Sequence, residues 1–263
     1  MFVAATLVEA LAPLRDEAAR AAVLLDVDGT LAPIVRHSDD AYVPEATRGL
    51  LIEVARRFGT VACVSGRPAT VARRIVSIGS IAYVGNHGCE LLAAGSNEVQ
   101  LDPEVAALAH LVREFEGAHP SAELERLRVR SEDKGPIVAY HWRGAPDEEA
   151  ALQAVRALER DAVAAGLGVH WGRKVLEVRP PVRIDKGHGI ALLLEGGDHA
   201  AALYVGDDVT DLDAFRALRE LPGTAAVCVG VRSEETPAEL EQSADLMVDG
   251  ADGVRRMLEA LLR

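Results

Sequence analysis

The sequence is poor in cysteine, in aromatic side chains and in basic charge. Its three cysteines, Cys63, Cys89 and Cys228, lie far apart and form no CxxC or Cys/His cluster, which argues against a sequence-local zinc site. An odd number of dispersed thiols fits reduced cysteines in a cytoplasmic protein, with core packing as their role. Aromatic residues make up 4% of the 263 positions, too few for stacking platforms along a single strand. Lysine and arginine total 28 against 41 acidic residues, a net charge of -13. Neither nucleic acid nor an anionic membrane is therefore expected as a partner, because both favour basic surface. The longest uncharged run, residues 75–89, contains Gly79, Gly85, Asn86 and His87 and falls short of the roughly 18 apolar residues that span a bilayer. The first residues lack a basic start and an apolar run, and Glu9 interrupts them, so no signal peptide is expected.

Hydrophobic residues make up 49% of the chain and charged residues 26%, enough for a sizeable core. Thr6 to Glu9 reads as a capping box, with Leu7, Leu11 and Leu14 following at helical spacing. Short apolar runs then end in polar residues: 21–25 before Asp26, 61–64 before Ser65, 82–84 before Gly85, 203–205 before Gly206 and 225–229 before Gly230. Residues 246–248 add a last one. Runs apolar on both faces are what parallel strands covered by helices require. Helical patterns occupy 45–57, 68–77, 186–194, 210–218 and 250–262. The alternation predicts an α/β core with a doubly wound parallel sheet.

The middle of the chain has another rhythm. Residues 103–116 and 147–165 read as helices, 126–131 and 137–142 as strands around the turn Lys134-Gly135-Pro136, and 169–171 with 174–178 as a hairpin. Residues 101–182 are expected to form a smaller α/β domain inserted into a discontinuous core, residues 1–100 and 183–263.

In open α/β sheets ligands bind beyond the carboxyl ends of the strands. The residues there are Asp26-Val27-Asp28-Gly29-Thr30, Ser65-Gly66-Arg67, Lys186-Gly187 and Gly206-Asp207-Asp208, with Asp211 following. Separate segments thus deliver several carboxylates, a hydroxyl and a lysine to one edge. Carboxylates packed together repel each other and a phosphate alike, by about 4 kcal/mol per unit pair at 4 Å and an effective dielectric of about 20. A divalent cation resolves both conflicts, and an all-oxygen donor set favours magnesium over zinc.

These four motifs, in this order, resemble those of the haloacid dehalogenase superfamily of phosphohydrolases. The resemblance implies a haloacid dehalogenase-like core in which Asp26 is the nucleophile and forms an aspartyl-phosphate. It implies Asp28 as acid and then base, Ser65 as a phosphoryl contact and Lys186 as the neutralising cation. Magnesium would sit among Asp26, the Asp28 carbonyl and Asp207, with Asp208 and Asp211 in or near its water shell.

The chain is further similar to the trehalose-6-phosphate phosphatase family. The residues that carry this are Ser65-Gly66-Arg67, Gly85-Asn86-His87-Gly88-Cys89-Glu90, Glu132-Asp133-Lys134, His141-Trp142-Arg143, Glu177-Val178-Arg179-Pro180, Asp185-Lys186-Gly187 and Gly206-Asp207-Asp208-Val209-Thr210-Asp211. Leu212 departs from the glutamate common there. The resemblance implies a sugar phosphate as the small-molecule partner. It also implies an inserted cap that reads sugar hydroxyls, with Arg67, His87, Glu132, Lys134 and Glu177 as substrate contacts.

Each contact has a plainer reading. Arg67 can be a helix-surface arginine, His87 a turn residue, Glu132 and Lys134 a solvated pair, and Glu177 an edge-strand charge. His141 and Arg143 share a strand face as substrate groups or as a structural pair. His37, His110, His119, His170, His188 and His199 read as surface or packing residues. Other functions stay open on these residues: a sucrose-phosphate or glycosylglycerate-phosphate phosphatase, a phosphohexomutase, or a non-catalytic sugar-phosphate sensor. A monomer or weak homodimer is expected.

Overall fold

A computed structural model describes residues 6–35, 40–119, 122–234 and 236–263. The chain divides into two compact units, residues 1–100 with 184–263, and residues 101–183.

The first unit is built on strand β1 (Ala21–Asp26), all six residues of which are buried. Alternate side chains of a strand point to opposite faces, and β1 accordingly feeds two cores. Ala21, Val23 and Leu25 pack with Leu51, Val54, Ala72, Met257 and Leu258. These come from the helices Glu45–Arg57, Ala69–Val76 and Gly250–Leu262. Ala22 and Leu24 pack on the other side with Ile190, Leu194, Phe215 and Leu218, from the helices Lys186–Leu194 and Asp211–Glu220. A strand sandwiched in this way has no polar face to offer, which is why its sequence reads as an uninterrupted apolar run.

The sheet has eight strands among the described residues, in the order β12-β11-β10-β1-β2-β3-β4-β5. These are β2 (Thr60–Val64), β3 (Ala82–Gly85), β4 (Glu90–Leu92), β5 (Val99–Leu101), β10 (Ala201–Gly206), β11 (Ala225–Arg232) and β12 (Leu246–Asp249). β1 pairs in parallel with β10 on one side and β2 on the other. That register puts Asp26 beside Val64 and Leu25 beside Val205, so Asp26, Ser65 and Gly206-Asp207 leave the sheet at one edge. The mixed α/β architecture with a parallel-dominant sheet is the one expected. β4 departs from it, pairing antiparallel with β3. Only residues 86–89 separate the two strands, too few for the crossover that a parallel partner needs.

The second unit has a four-stranded antiparallel sheet, order β6-β7-β9-β8. Its strands are β6 (Arg130–Asp133), β7 (Val138–His141), β8 (Gly168–Gly172) and β9 (Val175–Arg179). Val138, Tyr140, Leu176 and Val178 pack on one face with Val112, Phe115, Val155 and Leu158. Those partners lie on the helices Pro103–Ala118 and Glu148–Ala164. Asp102 and Asp147 cap the two helices by accepting from their first free N–H groups. The other face aligns Glu132, Ala139, Glu177 and His170 across the four strands.

One strand expectation is corrected. Residues 126–131 do not form a strand throughout: Ala122–Arg126 is a helix and β6 begins at Arg130. Ala-Glu-Leu-Glu-Arg is rich in good helix formers, and the left-handed Arg128 separates the two elements. Near the start, the capping box at Thr6 is present, but the helix divides at Leu11 into Leu7–Ala10 and Ala12–Asp16, with Pro13, which has no N–H to continue the first helix, in the first turn of the second.

Candidate active site

Asp26 ends β1 and is 4% exposed. Its Oδ1 accepts from Lys186 Nζ at 2.7 Å, while Oδ2 carries no hydrogen bond among the described residues. Lys186 begins its helix and is buried beside two carboxylates, donating also to Asp211 Oδ1 at 2.6 Å. Burial pulls its pKa down, but Asp211 and Asp26 outweigh that and hold it above the ordinary lysine value. Unpaired, such an ammonium would cost several kcal/mol.

Carboxylate oxygens of Asp26, Asp207 and Asp211 all lie within 4.8 Å of one another. Burial, with the neighbouring carboxylates, raises the Asp26 pKa well above the usual range despite Lys186. Burial and then Asp211 push Asp207 up to about 7. Three carboxylates share a single ammonium, a formal excess of two negative charges. An all-oxygen cluster with that excess fits a hard divalent cation.

Two glycines let the backbone approach these carboxylates. Gly29 has φ +86°, and a Cβ there would lie 2.1 Å from Asp207 Oδ2. A Cβ on Gly206 would lie 2.2 Å from Asp211 Cγ. Asp211 is fully buried. Its Oδ2 accepts the backbone N–H of Asp207 at 2.8 Å and of Asp208 at 2.9 Å. Its Oδ1 accepts from Tyr204 Oη at 2.7 Å as well as from Lys186.

Of Asp208 and Asp211, both expected in or near the metal's water shell, Asp211 is the one that joins Asp26 and Asp207 in this cluster. Asp208 is exposed, and its Oδ1 accepts from Thr210 N. The Asp28 side chain, expected as acid and base, is held by Arg67. Nε donates to Oδ2 and Nη2 to Oδ1, both at 2.7 Å.

Ser65 is 1% exposed. Its Oγ accepts from Arg67 N at 3.1 Å, and its hydroxyl hydrogen has no acceptor among the described residues. His87 N donates to Ser65 O at 3.1 Å, and Asn86 N to Arg67 O at 2.8 Å. Asn86 and His87 both adopt the left-handed region, φ 47° and 58°. The His87 ring lies against Gly66, where a Cβ would meet Cε1 at 2.6 Å. Glu90 secures this turn from beneath, accepting from Ala69 N and Asn86 Nδ2, each at 2.7 Å. Tyr204 and Glu90 had no assigned role in the sequence. The signal for Tyr204 was a hydroxyl inside an apolar strand, and for Glu90 a carboxylate between apolar residues.

In the second unit, Glu177 is 4% exposed. It accepts from Lys134 Nζ at 2.8 Å through Oε1 and from Arg179 Nε at 3.0 Å through Oε2. Glu132 Oε2 lies 2.8 Å from His141 Nε2. Lys134, Glu177 and Arg179 form one buried charged group, and Glu132 with His141 a more exposed pair. His37 lies outside the described residues. Cys63, Cys89 and Cys228 are buried free thiols.

A haloacid dehalogenase-like fold, carrying aspartates, a serine and a lysine at its strand ends, is the class that fold and site define. A haloacid dehalogenase-like hydrolase from Bacteroides thetaiotaomicron matches with a TM-score of 0.61 at 19% identity, over 91% of this chain and 98% of that one. Aspergillus fumigatus trehalose-6-phosphate phosphatase matches with a TM-score of 0.67 at 23% identity, over 100% and 99%. At these identities the likeness is one of fold. The family model for trehalose-phosphatase matches residues 24–250, and the chain belongs to that family. It is 31% identical to probable trehalose-phosphate phosphatase D of Arabidopsis thaliana, over 82% of this chain and 62% of that protein. It is 32% identical to trehalose 6-phosphate phosphatase RA3 of Zea mays, over 84% and 65%. The matches thus span less than two thirds of these relatives' length. No helix among the described residues is long and apolar enough to cross a membrane.

Proposed function

We propose that the protein is a magnesium-dependent phosphatase that hydrolyses trehalose 6-phosphate to trehalose and phosphate through an aspartyl-phosphate. The observation that supports this most is the Asp26–Lys186 pair. A carboxylate at the end of β1 is neutralised on one oxygen and open on the other.

In this reading an Asp26 oxygen attacks phosphorus, and the bond from phosphorus to the sugar oxygen breaks. Asp28 protonates the departing sugar oxygen. Asp28 then takes a proton from a water that attacks the aspartyl-phosphate. Phosphate leaves and the Asp26 carboxylate is restored. The Ser65 hydroxyl donates to a phosphoryl oxygen. Lys186 offsets the charge gathered around Asp26, so that most of the work is positioning and charge stabilisation. Asp26 and Asp207, with the Asp28 carbonyl, would hold magnesium. When bound, it supplies charge neutralisation at the phosphoryl oxygens. Arg67 orients Asp28 until the phosphate dianion arrives, and the dianion then gives the guanidinium a second acceptor.

The second unit supplies the sugar-reading groups. Its Glu132, Lys134 and Glu177 are types suited to pairing with sugar hydroxyls, and they set substrate choice. A cytoplasmic location suits three reduced thiols. Phosphate release from a panel of trehalose, sucrose and glycosylglycerate phosphates tests the proposal. Trehalose 6-phosphate should give the highest kcat/KM. Preference for another ester overturns the substrate assignment, and isomerised sugar phosphate without released phosphate identifies a mutase.

A further inference from the structure

Tyr204 is the one hydroxyl-bearing residue in β10, whose sequence is otherwise Ala-Ala-Leu-Val-Gly. It is fully buried and stands edge-on to Phe215, with ring centroids 6.0 Å apart. An apolar ring would satisfy that packing equally well. The hydroxyl therefore needs its own account, because burying one without a partner is destabilising.

Its partner is Asp211 Oδ1, at 2.7 Å. That oxygen also receives Lys186 Nζ at 2.6 Å, and the other receives the N–H groups of Asp207 and Asp208 at 2.8 and 2.9 Å. Asp211 thus ties the ammonium facing Asp26 to the backbone turn that carries Asp207. Without the phenol, Oδ1 would be held by Lys186 alone and would follow whatever movement the lysine makes. A neutral donor suits the place: a second cation there would pair with Asp211 and compete with Lys186 for it.

We propose that Tyr204 is a positioning residue of the active site. It acts through Asp211 to fix both the Lys186 ammonium and the Asp207 turn. The proposal deepens the phosphatase reading and rests on it.

Tyr204→Phe keeps the ring and deletes one oxygen atom. The expected result is a fall of about tenfold or more in kcat with KM changed less than about threefold. Affinity for Mg2+, titrated calorimetrically without substrate, should weaken by about threefold or more. Tyr83→Phe is the control, because it removes another buried hydroxyl, one bonded to Ile78 O and away from these carboxylates. It should leave kcat and Mg2+ affinity unchanged. If the two variants behave alike, Tyr204 is merely structural and the proposal is overturned.

In an Asp211→Asn background, Tyr204→Phe should cost less than about twofold more, since the route is already broken. A full multiplicative loss would also overturn the proposal. If the unsubstituted protein releases phosphate from no ester, the phosphatase reading itself has failed. The Mg2+ titration then decides on its own, with unchanged affinity in Tyr204→Phe counting against positioning. Should that variant not fold, fluorotyrosine incorporated into the unsubstituted chain gives the readout. The Tyr204 fluorine resonance should shift on adding Mg2+, and a resonance that stays put rejects the coupling.

Discussion

Arg67 grips Asp28 along one edge of its guanidinium, with two hydrogen bonds of 2.7 Å. The two side chains belong to different strand ends, one following β2 and the other following β1. A planar fork meeting a carboxylate fixes both its direction and its plane. The group expected to pass protons is thereby aimed before any substrate arrives.

Replacing that fork should be felt in rate more than in stability. Arg67→Lys offers one point contact in place of two and should lower kcat/KM by about tenfold, with Arg67→Ala worse at about a hundredfold. Both side chains are partly open to solvent, so the unfolding free energy should change by no more than about 1 kcal/mol. Steady-state phosphate release beside urea titration measures both. Unchanged kcat/KM in Arg67→Ala would show that the clamp has no part in turnover.

Asp26→Asn keeps the shape at the end of β1 and removes the proposed nucleophile. Phosphate release should drop by about three orders of magnitude or more. Near-normal release by this variant would refute covalent catalysis.

Chelation addresses the three clustered carboxylates. Excess chelator should abolish phosphate release, and added magnesium should restore it. Activity that persists in chelator would overturn the metal assignment.

Substitution of Glu177 tests its proposed role in sugar recognition apart from phosphate chemistry. Glu177→Gln should reduce turnover of trehalose 6-phosphate much more than that of a small aryl phosphate; equal losses would sink the recognition role. Glu177→Ala carries a stability cost too. It leaves the buried Arg179 and the part-buried Lys134 without that carboxylate, and breaking a buried pair is worth about 3–5 kcal/mol. Thermal unfolding gives the size of that cost.

His141 should titrate below its ordinary value of 6.5, because burial outweighs the opposing pull of Glu132. A histidine whose folded pKa is depressed contributes stability that is fully present above the unfolded value. That contribution drains away as the pH falls through the folded value. Ring-proton NMR gives the midpoint. Glu132→Gln removes the favourable charge and should lower the midpoint further; an upward move would contradict this balance.

Much of the first unit was legible because each buried strand ends abruptly in chemistry. Asp26, Ser65 and Gly206 each follow an apolar run, and a parallel sheet brings such endings together. The run containing Tyr204 reads as a strand, but its apolar pattern says nothing of what the hydroxyl meets under a loop. Asp208 and Asp211 could not be ranked from sequence. Which of them turns inward depends on two backbone N–H groups and one lysine that only the folded turn presents. The helix Ala122–Arg126 was hidden by its length, since a five-residue segment shows too little periodicity to separate it from an adjoining strand. The ion pair of Glu177 with Lys134 joins residues 43 positions apart, beyond any local pattern.

The pairing of β1 with β10 joins Ala21 to Ala201 and Leu25 to Val205. On a ribosome making roughly 5–20 residues per second, the first strand emerges some ten to thirty seconds before its second neighbour exists. During that interval one edge of β1 displays unpaired backbone groups and apolar side chains, a template for any stray strand. Lys186 arrives almost as late as β10, so Asp26 spends the same interval without its counter-charge. The residue with most at stake in the finished site is thus made well before the partners that complete it.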